Sequence, residues 1–169
     1  MRSARVLASS LLAAMGSLAG ERSDYEERAM REHVDRVAKI AAGFVGLAGS
    51  ETNAIALVES LREGIVVDLG YPGAIPQEHA TVRVQPPTGP MDWHDVRMSL
   101  ILARDALTAF GVLRPSGEQL HAALLGGTVT VPGARTVTFR GVLRMRADGR
   151  SWEQVASERF QRGEVARVE

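Results

Sequence analysis

The chain has 169 residues, a length typical of one domain, and its 45% hydrophobic and 24% charged residues are the composition of a folded globular protein. Twenty basic and twenty acidic residues cancel, so the charge does not indicate a nucleic-acid or anionic-membrane partner. Cysteine is absent, which excludes disulfides, thiolate nucleophiles, iron–sulfur clusters and Cys-based zinc sites.

Residues 1–19 have the pattern of an export signal. A positively charged start and an apolar core, residues 6–14, precede the small-x-small sequence Ser17-Leu18-Ala19. The segment is too short and too rich in serine for a transmembrane helix. The pattern predicts a periplasmic or secreted protein whose single domain comprises residues 20–169. The alternative is an alanine-rich helix that belongs to the fold, in which case the protein would be cytoplasmic.

Residues 24–47 are predicted to form an amphipathic helical arm. Its apolar residues recur at spacings of four and three, which places them on one stripe: Met30, Val34, Val37, Ala41 and Phe44. The stripe either packs on the protein's own core or mediates a homodimer. Two to three heptads are fewer than a coiled coil usually requires.

Two segments, residues 50–110 and 116–160, repeat the order helix, glycine, two short strands and tryptophan-headed helix. At one constant offset, Leu57, Leu61 and Gly64 correspond to Leu120, Leu124 and Gly127. Coincidence is the alternative, but self-similarity at matched spacing is typical of a repeated unit that cannot bury its apolar face alone. We therefore expect an α+β fold in which two αββα units share one small antiparallel sheet beneath helices.

One short cluster, Asp92-Trp93-His94-Asp95, brings an imidazole and carboxylates together. A metal or acid–base role there would require further ligands, and no HExxH, paired histidines or GxSxG occurs elsewhere. We therefore predict no catalytic residue, no metal and no cofactor. In the simpler interpretation, Asp92 caps the helix and Trp93 is buried, while His94 and Asp95 face water.

The candidate ligand-binding residues are Trp93, His94, Asp95 and Trp152. The two tryptophans occupy matched positions in the repeated segments, so they could form a joint aromatic platform. The alternative is that both rings belong to the core, as is usual for an aromatic residue that begins a helix with apolar spacing.

Four motifs carry a family resemblance: LVxxLRxG, PPTGPM, GEQLxxALxGG and GVLxMRAxG, at residues 57–64, 86–91, 117–127 and 141–149. With these motifs, the chain resembles a family of small exported proteins of uncharacterised role from Gram-negative bacteria, over about residues 50–156. The resemblance implies export and a shared fold, but no activity. Family members more often have a small residue where this chain has His94 and Glu153.

The leading functional prediction is an exported, non-catalytic binding or structural protein of the bacterial envelope or secretome, with a protein or a small molecule as its ligand. The alternative is a cytoplasmic DNA-binding protein, because residues 142–169 resemble the opening of a helix-turn-helix. That pattern expects a turn glycine near position 160, where Phe160 stands. An enzyme that uses the neighbourhood of His94 and Asp95 is the third option.

Overall fold

The structure, a computed structural model, describes residues 24–72 and 79–158. The predicted export signal and the end of the chain from residue 159 lie outside this range. The chain divides into two compact units, residues 1–38 and 39–169. The described part is α+β, with seven helices and two antiparallel two-stranded sheets, as the sequence predicted. None of these helices has the length and apolar character that crossing a bilayer requires.

The N-terminal helical region is interrupted where the sequence predicted one helix to residue 47. Residues 24–42 are helical (α1), a turn follows at residues 43–44, and the short helix α2 comprises Val45–Ala48. In the turn, the N–H of Phe44 donates to the carbonyl of Ala41 at 2.8 Å, a three-residue closure that an α-helix does not make.

The apolar stripe of α1 is exposed at one end and buried at the other. Met30 and Val34 are 63% and 54% exposed, whereas Val37 and Ala41 are buried. Tyr25, near the exposed end, is 74% exposed. The described structure therefore gives the first turns of α1 an uncovered apolar face.

The remaining elements repeat the order helix, strand, strand, helix. The first set is α3 (Glu51–Glu63), β1 (Val67–Pro72), β2 (His79–Val84) and α4 (Trp93–Thr108). The second set is α5 (Gly117–Leu125), β3 (Gly127–Val131), β4 (Arg135–Phe139), α6 (Val142–Ala147) and α7 (Trp152–Glu158). The second set thus has an additional short helix before the tryptophan-headed one. The order of elements agrees with the predicted repeat, and the duplication itself stays a prediction.

The hairpins form two separate sheets in place of the one shared sheet that the sequence predicted. β1 pairs with β2 and β3 with β4, both antiparallel, with Leu69 opposite Val82 and Val129 opposite Val137. Helix α5 packs against both hairpins. A groove lies between β2 and β3 above this helix, and in the described residues these two strands do not pair.

The core lies between α3, α4 and α5. These helices bring together side chains with no more than 1% exposure: Leu57, Leu61, Leu100, Leu107, Leu120 and Leu124. Helix α4 is buried on several sides. The packed helices fix the positions of both hairpins and of the two helix starts that carry the tryptophans.

A close backbone contact joins the end of α3 to the segment before α4. Gly64 has a φ of 70°, and a Cβ at this position would lie 2.4 Å from the carbonyl carbon of Gly89. Only glycine fits such an approach without movement of the backbone. The contact holds the proline-rich segment, residues 86–90, against the last turn of α3.

Candidate functional site

Both tryptophans of the candidate site begin a helix, and each helix is capped by the residue before the tryptophan, at Asp92 as the sequence predicted. Asp92 accepts the N–H of Asp95 at 2.7 Å before α4, and Ser151 accepts the N–H of Gln154 at 3.3 Å before α7. The Gln154 side chain in turn accepts the N–H of Ser151 at 2.8 Å, which completes a capping box. These caps fix the direction in which each helix starts.

Each tryptophan ring lies beneath an arginine from the preceding helix. The guanidinium carbon of Arg62 is 5.2 Å from the ring centroid of Trp93, and that of Arg146 is 4.5 Å from the ring centroid of Trp152. Both distances are within the range of cation–π attraction. Neither ring is a free aromatic platform, because a guanidinium covers one face of each.

The same backbone contacts accompany both arginine–tryptophan pairs. Arg62 donates to the carbonyl of Met91 at 2.7 Å, and Arg146 donates to the carbonyl of Arg150, in each case two residues before the tryptophan. Met91 and Arg150 in turn donate their N–H to the carbonyl of the residue before each arginine, at 3.2 and 3.1 Å. Each arginine thus joins the end of one helix to the start of the next.

Asp95 connects the two helix starts. It accepts the indole N–H of Trp152 at 2.7 Å, and its second oxygen is 3.5 Å from Nη2 of Arg146. The side chains of Asp95 and Arg146 are 26% and 27% exposed. Asp95 and Trp152 were predicted from the sequence, whereas Arg62 and Arg146 were not. Each of these arginines follows an apolar residue in the last turn of a helix.

A cleft of about 250 Å³ lies beside this cluster, between the proline-rich segment and the Asp95–Arg146 pair. Pro87, Thr88 and Met91 supply part of its wall. The charged groups beside the cleft, Asp95 and Arg146, bind each other. Their contacts join α4, α6 and α7, so these charges are used within the fold. His94 is exposed, and Trp93 and Trp152 are half-buried, an outcome between the predicted platform and the predicted core.

A larger open groove lies between the two hairpins. It has a volume of about 600 Å³, with β2 and β3 as its walls and α5 as its floor. The walls include Thr81, Val82 and Arg83 on one side and Thr128 and Val129 on the other. We call it the hairpin groove.

The outer edge of β2 presents backbone groups to this groove. The Asn53 side chain donates to the carbonyl of Gly70 at 2.8 Å and accepts its N–H at 3.1 Å, so both groups of Gly70 point away from β2. Opposite residues of an antiparallel pair alternate between mutual backbone bonding and outward-pointing groups. Thr81, opposite Gly70, therefore points its N–H and carbonyl outward, as does Arg83 two residues later. We find no partner for these groups in residues 24–72 and 79–158.

The outer edge of β3 follows the same alternation but is partly covered. The Gln119 side chain donates to the carbonyl of Thr130 at 2.7 Å, so this carbonyl points away from β4. Thr128, two residues earlier, then directs its N–H and carbonyl outward as well. Its hydroxyl lies 2.9 Å from that of Thr138, consistent with the short side-chain distance of a pair without mutual backbone bonds.

The charged groups of the hairpin groove lie at its rim and floor. Arg83 makes a two-point contact with Asp68 on the neighbouring strand, at 2.8 and 2.9 Å, and the hydrogen bond from Arg83 lowers the pKa of Asp68 below its ordinary value of 3.8. Glu118, His121 and Ala122 of α5 line the floor. No sequence motif indicates this groove, because its outward-pointing donors and acceptors belong to the backbone.

In the part of the chain that the structure describes, no group of three or more histidine, cysteine, aspartate or glutamate side chains could hold a metal ion. Comparisons of the chain with protein-family models, with curated proteins and with solved structures found no match, so the resemblance to exported proteins stays a prediction.

Proposed function

We propose that this protein is an exported, non-catalytic binding protein of the bacterial envelope or secretome, and that the hairpin groove is its binding surface. The observation that carries the proposal is the presence of outward-pointing backbone donors and acceptors along β2 and at Thr128, beside an open volume of about 600 Å³. Such groups are rarely left without partners once a site is closed to water.

The tryptophan cluster is a weaker candidate for the binding surface. Its indole N–H, its carboxylate and its guanidinium bind one another, and a ligand would have to displace these contacts. Breaking a charge-assisted hydrogen bond costs about 1.5–3 kcal/mol. The cluster therefore supports the fold near α4 and α7, and the groove is left for recognition.

Export rests on the charge, apolar core and small-x-small order of residues 1–19. Cell fractionation of the native bacterium followed by intact-mass measurement tests it. A mature chain that begins at Gly20 outside the cytoplasm is the expected result. A full-length chain in the cytoplasm would contradict export, without any effect on the groove.

The binding role is tested by amide hydrogen exchange of the purified protein, with and without a concentrated periplasmic extract. We expect the outward amides of Thr81, Arg83 and Thr128 to exchange rapidly in the free protein and to be protected by the extract. The amide of Thr136, on the far edge of β4, is the internal control. Protection that is absent, or that is confined to regions outside β2 and β3, would exclude the groove as the binding surface.

The two further partner predictions concern DNA and a second copy of the chain. DNA binding through residues 142–169 is not favoured, because Arg140 and Arg150 both pair with Glu158 and Arg146 pairs with Asp95. A homodimer through residues 24–47 is supported by the exposed apolar face at the start of α1.

A further inference from the structure

We propose that the hairpin groove binds an extended segment of a partner protein, which adds to the outer edge of β2 as a third strand. This inference rests on the proposed binding function and names the chemical class of its ligand. The partner segment would pair with the backbone of Thr81 and Arg83, so that β1, β2 and the segment form one sheet.

The backbone pattern at β2 selects a polypeptide. Thr81 and Arg83 each present one donor and one acceptor, and residues two apart along a strand are separated by about 6.6 Å. An extended polypeptide backbone carries donors and acceptors with this same period, which is the basis of strand addition. A sugar or a flat aromatic ligand has no such linear repeat.

The size of the groove agrees with a short strand. The strand spacing, the rise per residue and the spacing of packed layers assign roughly 160 Å³ to one residue of a strand in a sheet. The groove volume of about 600 Å³ therefore corresponds to about four residues. Four residues are enough to pair with both Thr81 and Arg83.

The same volume argues against a second copy of this chain as the occupant. The β2 edge of another copy would bring its own hairpin and the helix α5 beneath it, whereas β3 closes the groove on the far side. A single extended segment fits between the walls. Ala122, Gly126 and Gly127 line the groove, and their small size leaves space for the side chains that point inward from the segment.

At two other outward positions of the hairpins, side chains from helices occupy backbone groups. Asn53 of α3 binds both groups of Gly70 on β1, and Gln119 of α5 binds the carbonyl of Thr130 on β3. An open strand edge is a liability that folds usually cover. The β2 edge has no such cover in the described residues and, unlike the far edge of β4, it borders the hairpin groove, so it is placed to receive a partner.

The first experiment selects displayed random linear peptides on the full chain and measures binding of a synthetic selected peptide by calorimetry. Analogues of this peptide, each with one backbone N-methyl group, are then compared. We expect about ten-fold weaker binding at alternate residues and little change at those between, because an added strand directs every second N–H toward its neighbour. Equal effects at consecutive residues, or no effect at any, would contradict strand addition.

The second experiment removes one donor from the protein. Thr81→Pro removes the outward-pointing N–H of β2. It removes no hydrogen bond between β2 and β1, and proline is tolerated at such edge positions. The matched control is Thr136→Pro, the same change at an outward position on the far edge of β4. Thr81→Pro should weaken binding of the selected peptide about ten-fold, and Thr136→Pro should leave this binding unchanged. Equal binding of the peptide by the two variants would overturn the proposal. If Thr81→Pro fails to fold, the N-methylated peptide analogues test strand addition in its place.

The two proposals fail in different ways. If the periplasmic extract protects the groove but selection yields no peptide that binds there, strand addition is wrong and the binding role stands with another class of ligand. If the extract protects no residue of the groove, the binding role itself fails. If the protein self-associates and Thr81→Pro abolishes this, the strand comes from a second copy and the assignment to a partner protein is wrong.

Discussion

The hydroxyl of Tyr71 offers a sharp test of how burial controls the stability of this fold. The ring lies against Gly49 and Gly117, at positions where a Cβ on either glycine would be 3.0 and 2.7 Å from it. Tyr71 is 7% exposed, and its hydroxyl has no hydrogen-bond partner in the described residues. A buried hydroxyl without a partner costs about 1–3 kcal/mol, so we expect Tyr71→Phe to raise the free energy of unfolding by up to this amount at neutral pH.

The same burial predicts an alkaline limit to stability. Burial raises the pKa of Tyr71 from its ordinary value of 10.0 to about 12. Below pH 10 both states keep the phenolic proton and the stability is intact. Between pH 10 and 12 the unfolded chain releases this proton while the folded chain keeps it, so stability falls by about 1.4 kcal/mol per pH unit. The total loss is about 2.7 kcal/mol. This is a large part of the free energy of unfolding of a typical domain, which is roughly 5–15 kcal/mol.

The composition of the chain leaves few other side chains that titrate between pH 10 and 12. Of twenty basic residues only Lys39 is a lysine, and the arginines do not lose their protons in this range. The second of the two tyrosines, Tyr25, is 74% exposed, so Tyr25→Phe is the matched control. Chemical unfolding between about pH 9 and 12 should show a smaller loss for Tyr71→Phe than for the other two proteins. Parallel pH dependences, or a less stable Tyr71→Phe protein at neutral pH, would refute the argument and indicate a partner for the hydroxyl.

Four further predictions concern packing and contacts. Gly64→Ala should destabilise the protein by about 1–3 kcal/mol more than Gly89→Ala in chemical unfolding, because both have positive φ but only Gly64 faces nearby backbone; equal losses would contradict this. Trp152→Phe should cost about 1.5–3 kcal/mol through the lost bond to a carboxylate, and a neutral result would argue against that bond. Asn53→Ala should cost about 2–4 kcal/mol, since two backbone groups of β1 lose their partner, with Asn53→Asp restoring at most part of the loss. Met30→Glu should convert a dimer to a monomer in analytical ultracentrifugation, and a monomeric wild-type protein would exclude the dimer.

Local features of this fold could be predicted from the sequence because neighbouring residues determine them. The caps at Asp92, Ser116 and Ser151 each require one polar side chain three residues before the N–H that it accepts, and all three are present. At these places the chemistry of the segment alone fixes the backbone.

The covering of the outer strand edges could not be predicted because it depends on contacts that are distant in sequence. Asn53 and Gly70 are joined by side-chain bonds, and nothing in the alternation of β1 indicates that an amide from α3 will bind its edge. Gln119 completes the capping box of α5, which is a local contact. Its second group also binds β3, which a local pattern does not reveal.

The candidate site was predicted only in part for the same reason. Asp95 and Trp152 are far apart in sequence but form one hydrogen bond. The sequence does not indicate this contact, so both were predicted as site residues from their residue types alone. The hairpin groove had no comparable signal. Its recognition groups are backbone N–H and carbonyl groups, and every residue except proline has both.

The arrangement of the two tryptophans gives the molecule two built-in optical reporters. Trp93 lies beneath Arg62 at the junction of α3 and α4, and Trp152 beneath Arg146 at the junction of α6 and α7. The chain has no other tryptophan, so a variant with either indole removed emits from one junction alone. The fluorescence of the two single-tryptophan variants during unfolding would follow the two halves separately. Coincident transitions would mark one cooperative unit, and separate transitions would mark two independently melting segments.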